Sequence, residues 1–87
     1  MATEPTLTIE MASKSRPPEK HSLSLRGHRT SVSLEAEFWR EFRRIAAEDD
    51  KPINALAAEI DAMRDPEVGL ASAIRVYVLN RVLARVP

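Results

Sequence analysis

The chain has 87 residues, no cysteine, two histidines, four aromatic residues and a formal net charge of zero. That allows one small domain at most, excludes a disulfide staple, and leaves a core small enough that association is the expected support. No apolar run approaches the ~20 residues of a membrane span, and Met1 to Met11 carries acids rather than a basic region before an apolar stretch, so a cytoplasmic protein with no membrane partner is expected.

Zero net charge argues on its face against nucleic-acid binding, but the distribution is uneven. Lys14, Arg16, Lys20, Arg26 and Arg29 stand against Glu19 alone, so basic charge gathers over residues 14–29. In a dimer this cluster is doubled. The plainer reading is a solvated tail.

Residues 1–21 mix Thr, Ser, Glu, Lys and Pro with no helical stripe, and read as a flexible N-terminal arm. The foldable domain is then 22–87. Ser22-Leu23-Ser24-Leu25 alternates polar and apolar, and so does Arg29-Thr30-Ser31-Val32-Ser33-Leu34, but in the opposite parity. Two structures explain the reversal. One is a single long strand bulged near Gly27. The other is an internal hairpin with Arg26-Gly27-His28-Arg29 as its loop. Both stay open, and the choice matters because a strand needs partners for its backbone.

Three helical patterns follow. Phe38, Phe42 and Ile45, with Trp39 and Ala46 beside them, predict an amphipathic helix over about Glu35 to Glu48. Glu48-Asp49-Asp50-Lys51 breaks it. Pro52 suits the first turn of a second helix, in which Ile53, Leu56, Ala57, Ile60 and Met63 recur at threes and fours. Asp65-Pro66 ends that helix near Arg64. The third pattern runs from Leu70 to about Arg85. Leu70, Ile74, Val78 and Val82 form one row; Val76, Tyr77, Leu79, Leu83 and Val86 widen it. A helix apolar around most of its circumference is normally buried, so this one points to a partner chain. A strand over Ile74 to Leu79 is the lesser alternative.

Catalysis finds little support, and no enzyme activity is expected. There is no Gly-rich phosphate loop, nucleophile elbow or HExxH. His21 and His28 lie in a polar, basic stretch and form no recognisable metal site. Glu37 and Glu41 read as exposed helix carboxylates rather than acid–base groups. No metal or other cofactor is expected. Nucleic-acid binding has a concrete route, because a two-stranded ribbon fits the major groove. If two copies of residues 29–34 pair antiparallel, Val32 and Leu34 face the helices while Arg29, Ser31 and Ser33 project outward. The start of the second helix offers unpaired backbone N–H groups to a phosphate, with Lys51 beside it.

The order strand, helix, turn, helix, with Arg-x-Ser-x-Ser at the strand and Ile53-Asn54-Ala55-Leu56 opening the second helix, resembles the ribbon-helix-helix family of MetJ/Arc type. The ordered runs Gly27 to Glu35, Phe38-Trp39, Asn54 to Asp61 and Ser72 to Leu79 are similar to a small bacterial branch common in alphaproteobacteria. The resemblance covers about Ser22 to Leu83. It implies a mainly α fold: a ribbon-helix-helix with one N-terminal strand pairing across a homodimer, here with an additional C-terminal third helix. It implies a sequence-specific DNA-binding protein, a transcriptional repressor, with double-stranded DNA and a second copy of itself as partners. Base contacts fall on Arg29, Ser31 and Ser33, and phosphate contacts on Arg26, His28, Lys51, Ile53 and Asn54. The dimer core falls on Val32, Leu34, Phe38, Phe42, Ile45, Ile53, Leu56 and Ile60. Asp50 stands where the family often has Gly, and Pro52 where Ser or Thr caps the helix. The alternative is a dimerisation or protein-docking module, antitoxin-like, that engages a protein partner through residues 70–86 without binding DNA.

Overall fold

The computed structural model describes residues 16–86. Two strands, β1 (Glu19–Leu25) and β2 (His28–Leu34), precede three helices: α1 (Ala36–Glu48), α2 (Ile53–Met63) and α3 (Leu70–Arg85). The mainly α architecture with an extra C-terminal helix is therefore as expected. Of the two structures open for the strand, the internal hairpin is the one formed. β2 pairs antiparallel with β1 of the same chain, in the register Leu25↔His28 through Glu19↔Leu34.

That register explains the reversed parity. Cross-strand partners have numbers summing to an odd value, so odd positions of β1 share a face with even positions of β2. Leu23 and Leu25 accordingly lie on the same buried face as Val32 and Leu34. No bulge is involved, and the turn is shorter than the expected four-residue loop. Arg26 and Gly27 alone make it, both in the left-handed region at φ 53° and 86°. Positive φ at both central positions gives a turn whose twist matches that of the flanking strands. β1 also starts earlier than expected: Glu19, Lys20 and His21, read as arm, belong to the sheet. The rest of that arm, up to Ser15, lies outside the described residues.

One apolar face of the hairpin closes on the three helices. Leu34, Phe42, Ile45, Leu56, Ala57 and Ile74 are fully enclosed, and Leu23, Leu25, Val32, Trp39, Ala46, Ile60 and Val78 nearly so. The stripe of α1 is rotated from the expected one. Trp39 is 1% exposed, whereas Phe38 is only partly buried at the edge of the core. The indole Nε1 donates to the Glu19 carbonyl at 2.9 Å, and His21 meets the ring edge-on at 4.6 Å. Trp39 is thus the pin that holds the first residue of β1 onto α1. The α1–α2 break is a left-handed cap: Asp50 has φ 57°, and the amides of Asp50 and Lys51 bond the carbonyls of Ala47 and Ala46. Asp tolerates that conformation better than most residues, which is how the chain turns there without glycine.

α3 is a helix throughout, with no strand over Ile74 to Leu79. Ile74 and Val78 are buried, and Leu70, Tyr77 and Val82 pack beside them. Three arginines clamp it to α1 and to the residues that flank α1. Arg75 bonds both carboxylate oxygens of Glu35, at 2.9 and 3.2 Å, and reaches the Ser33 carbonyl at 3.3 Å. Arg81 straddles Asp49 at 2.8 and 2.9 Å and touches the Tyr77 hydroxyl. Arg85 reaches Glu41 and Glu48.

These guanidinium hydrogen bonds hold the carboxyls of Glu35, Glu41 and Asp49 below their ordinary values of 4.5 for Glu and 3.8 for Asp. A depressed folded-state pKa contributes stability that is complete above the ordinary value and is lost as pH falls through the folded one. The thermal midpoint should therefore hold level near neutrality and drop as pH falls below about 5. Arg75→Gln should lower the neutral midpoint and make that drop shallower. An unchanged pH slope in Arg75→Gln would show that the Glu35 pair has no part in it.

Candidate functional site

The hairpin has a second face, turned away from the core. Register and pleat place Lys20 opposite Ser33, Ser22 opposite Ser31, and Ser24 opposite Arg29 on it. Lys20, Ser22, Arg29 and Ser31 are exposed, and Ser24 and Ser33 half-buried. This is a flat polar surface of two cations and four hydroxyls. It carries no carboxylate: Glu19, the strand acid, sits in the other row, cross-strand from Leu34. Arg29 Nη1 approaches Ser24 Oγ at 3.5 Å, which aligns the guanidinium across the ribbon.

Of the residues expected to read bases, Arg29, Ser31 and Ser33 all fall on this face. Lys20, Ser22 and Ser24 share it, beyond the residues the sequence predicts. Their signal was the Ser-Leu-Ser-Leu alternation, which acquires a direction only when β1 pairs with β2. Arg26 and His28, expected at phosphates, stand exposed at the tip of the hairpin.

The start of α2 lies against the sheet. Asn54 Oδ1 accepts from the backbone N–H of Ser24 at 3.2 Å, tying the outer edge of β1 to the helix. Arg75 on the Ser33 carbonyl does the same for the outer edge of β2. Pro52 caps α2 without a side-chain hydrogen bond, and its carbonyl takes the amides of Ala55 and Leu56. The amides of Ile53 and Asn54 are left as the donors of that end. Lys51 points elsewhere: its ammonium bonds Glu59 Oε1 at 2.7 Å, a contact that raises its pKa. The arrangement holds an N-terminal amide pair near Ser24, with the lysine turned to α2's own carboxylate.

The residues expected in a dimer core are packed within one chain. Val32, Leu34, Phe42, Ile45, Leu56 and Ile60 are buried there, with Phe38 and Ile53 at its margin. Within the chain, β1 is the strand that pairs with β2. Among the described residues no group of three or more His, Cys, Asp or Glu side chains is placed to hold a metal ion, and no helix is long and apolar enough to cross a membrane.

A family model described as a ribbon-helix-helix domain matches residues 18–82. No curated protein and no solved structure matches the chain.

Proposed function

The chain belongs to the ribbon-helix-helix domain family, and from that premise we propose that it is a sequence-specific DNA-binding protein, a transcriptional repressor that reads the major groove with the outer face of its hairpin. The family in general comprises DNA-binding transcriptional regulators and antitoxins. The observation that carries the proposal is the composition of that face: Lys20, Arg29 and four serines, with no acid among them. Arg29 is suited to the two acceptors of a guanine edge, and serine hydroxyls donate or accept at several bases. Arg26 and His28 at the tip, with the amides of Ile53 and Asn54, are the candidates for the phosphate contacts that set register. The same proposal is of a cytoplasmic protein with a regulatory rather than catalytic role.

Fluorescence anisotropy with labelled duplexes, including the region upstream of the protein's own gene, tests this across a salt series. Wild type should bind with an affinity that falls steeply with salt. Arg29→Ala combined with Ser31→Ala should weaken specific binding roughly ten- to a hundredfold, with an unchanged melting curve because both side chains are exposed. Equal binding by the double variant, or none by folded wild type, overturns the reading.

A homodimer also belongs to this proposal, on new ground. The lone strand no longer requires it, since β1 supplies the partner. What favours association is α3, where Val76, Leu79, Leu83 and Val86 are half or more exposed. The same observation favours the alternative, a docking module whose protein partner seats on α3.

A further inference from the structure

We propose that the cavity at the tip of the hairpin binds a small anionic effector, an apolar body carrying one carboxylate, and that this ligand withdraws Arg26 from DNA. The cavity measures about 330 Å³ and lies between the hairpin tip, α2 and the first turn of α3. Small-molecule sites span roughly 300–1,000 Å³ and join apolar walls to a few converging polar groups. Here Leu25, Ala58 and Leu70, one from each of three elements, supply the apolar wall. Arg26, His28, Asp61 and Arg64 supply the polar rim. At about 30 Å³ per water, the space suits a ligand of about ten non-hydrogen atoms.

Charge selects the sign of the ligand. Arg64 is already engaged: its Nε donates to Asp61 Oδ1 at 2.7 Å and its Nη1 to the Val68 carbonyl at 2.7 Å. That pair neutralises Asp61 and fixes one wall of the cavity. Arg26 is the cation left over. Arg75, Arg81 and Arg85 each end on a carboxylate, whereas Arg26 is exposed and has no such partner among the described residues. His28, exposed on the same rim, adds a ring N–H donor. A free guanidinium beside an apolar wall matches a carboxylate on an apolar body. The backbone supplies a second observation. Arg26 has φ 53°, at the first central position of a turn that favours Asn, Asp or Gly. An arginine held in that strained conformation points to a use for its side chain.

The same guanidinium is a candidate phosphate contact in the proposed DNA complex. A ligand carboxylate and a DNA phosphate then compete for Arg26. The ligand lowers the affinity for DNA, and DNA lowers the affinity for the ligand by the same factor. This antagonism rests on the proposed function; the ligand site does not.

Backbone-amide NMR of the full chain, titrated with hydrocinnamate and in parallel with its neutral amide, tests the site without DNA. The carboxylate should bind saturably and shift the amides of Leu25 to His28 and of Ala58. It should bind roughly tenfold more tightly than the amide. Arg26→Asn suits the turn, so it should melt no lower than wild type while losing the preference for the carboxylate. Ala58→Leu, which fills the cavity from α2, should abolish binding of both compounds. No saturable shift, equal binding of acid and amide, shifts centred on Leu79 and Leu83 instead, or wild-type binding by either variant overturns the site. Anisotropy with labelled duplex at fixed ionic strength then reads the coupling. Saturating hydrocinnamate should weaken DNA binding by wild type several-fold and by Ala58→Leu not at all. Unchanged affinity of wild type overturns the antagonism. If wild type binds no DNA while the NMR result holds, the proposed function and the antagonism fall together and the ligand site stands.

Discussion

Leu34→Asp should leave no cooperative thermal transition at neutral pH. Leu34 is fully enclosed, at the point where β2 hands the chain to α1. A carboxylate there has no cation on its own face, and its cross-strand neighbour is Glu19, a like charge. Burying an unpaired carboxylate costs several kcal/mol even when it is protonated instead. A small domain has about 5–15 kcal/mol of stability in all, and one of this size lies toward the lower end. Circular dichroism through a thermal ramp checks the result. Leu34→Met, which conserves volume, should retain a sharp transition within about 1.5 kcal/mol of wild type. A cooperative melt in Leu34→Asp would mean that the apolar face of the hairpin does not lie against the helices.

The second large effect separates two adjacent aromatic residues. Trp39→Ala should cost about 3–5 kcal/mol, lowering the midpoint by more than about 12 °C at 4–8 °C per kcal/mol for a domain of this size. Phe38→Ala should cost well under half as much. The difference lies in what each touches. Trp39 fills the space between α1 and β1, donates to the Glu19 carbonyl, and packs against His21 and Phe42. Phe38 sits at the margin with the Arg75 guanidinium 5.9 Å from its ring. Hydrogen exchange adds a local readout: in Trp39→Ala the first residues of β1 should lose protection before the turn does. Comparable losses for the two substitutions would place the inward face of α1 on Phe38.

The two aromatics also mark how far the residues alone could be read. Spacing at threes and fours located all three helices to within a residue or so, and Pro52 and Pro66 marked where α2 begins and ends. These are local effects: a helix's hydrogen bonds close within four residues, and proline acts on its own backbone and that of the residue before it. Periodicity is weaker at telling which side of a broad apolar face turns inward. Phe38, Trp39 and Phe42 are all apolar, and only the positions of β1 and α3 decide that Trp39 takes the centre. In α3 the row Leu70, Ile74, Val78 and Val82 does pack inward, but the residues that widen it, Val76, Leu79, Leu83 and Val86, stay exposed, because none of the described elements lies over them.

What the sequence determined by itself is therefore the list of elements, the apolar row of each, and the outward Arg29, Ser31 and Ser33 of a strand. Period 2 and period 3.6 are properties of single segments. What only the tertiary structure decided is pairing. Leu23 and Leu25 against Val32 and Leu34 allow either a bulge or a turn, and the two-residue Arg26-Gly27 turn settles it by closing the strand onto its own chain. With that closure Lys20, Ser22 and Ser24 join the polar face, Lys51 finds Glu59 rather than open solvent, and the arginines of α3 find α1. Each of these depends on segments distant in sequence meeting in space, and no local period carries that information.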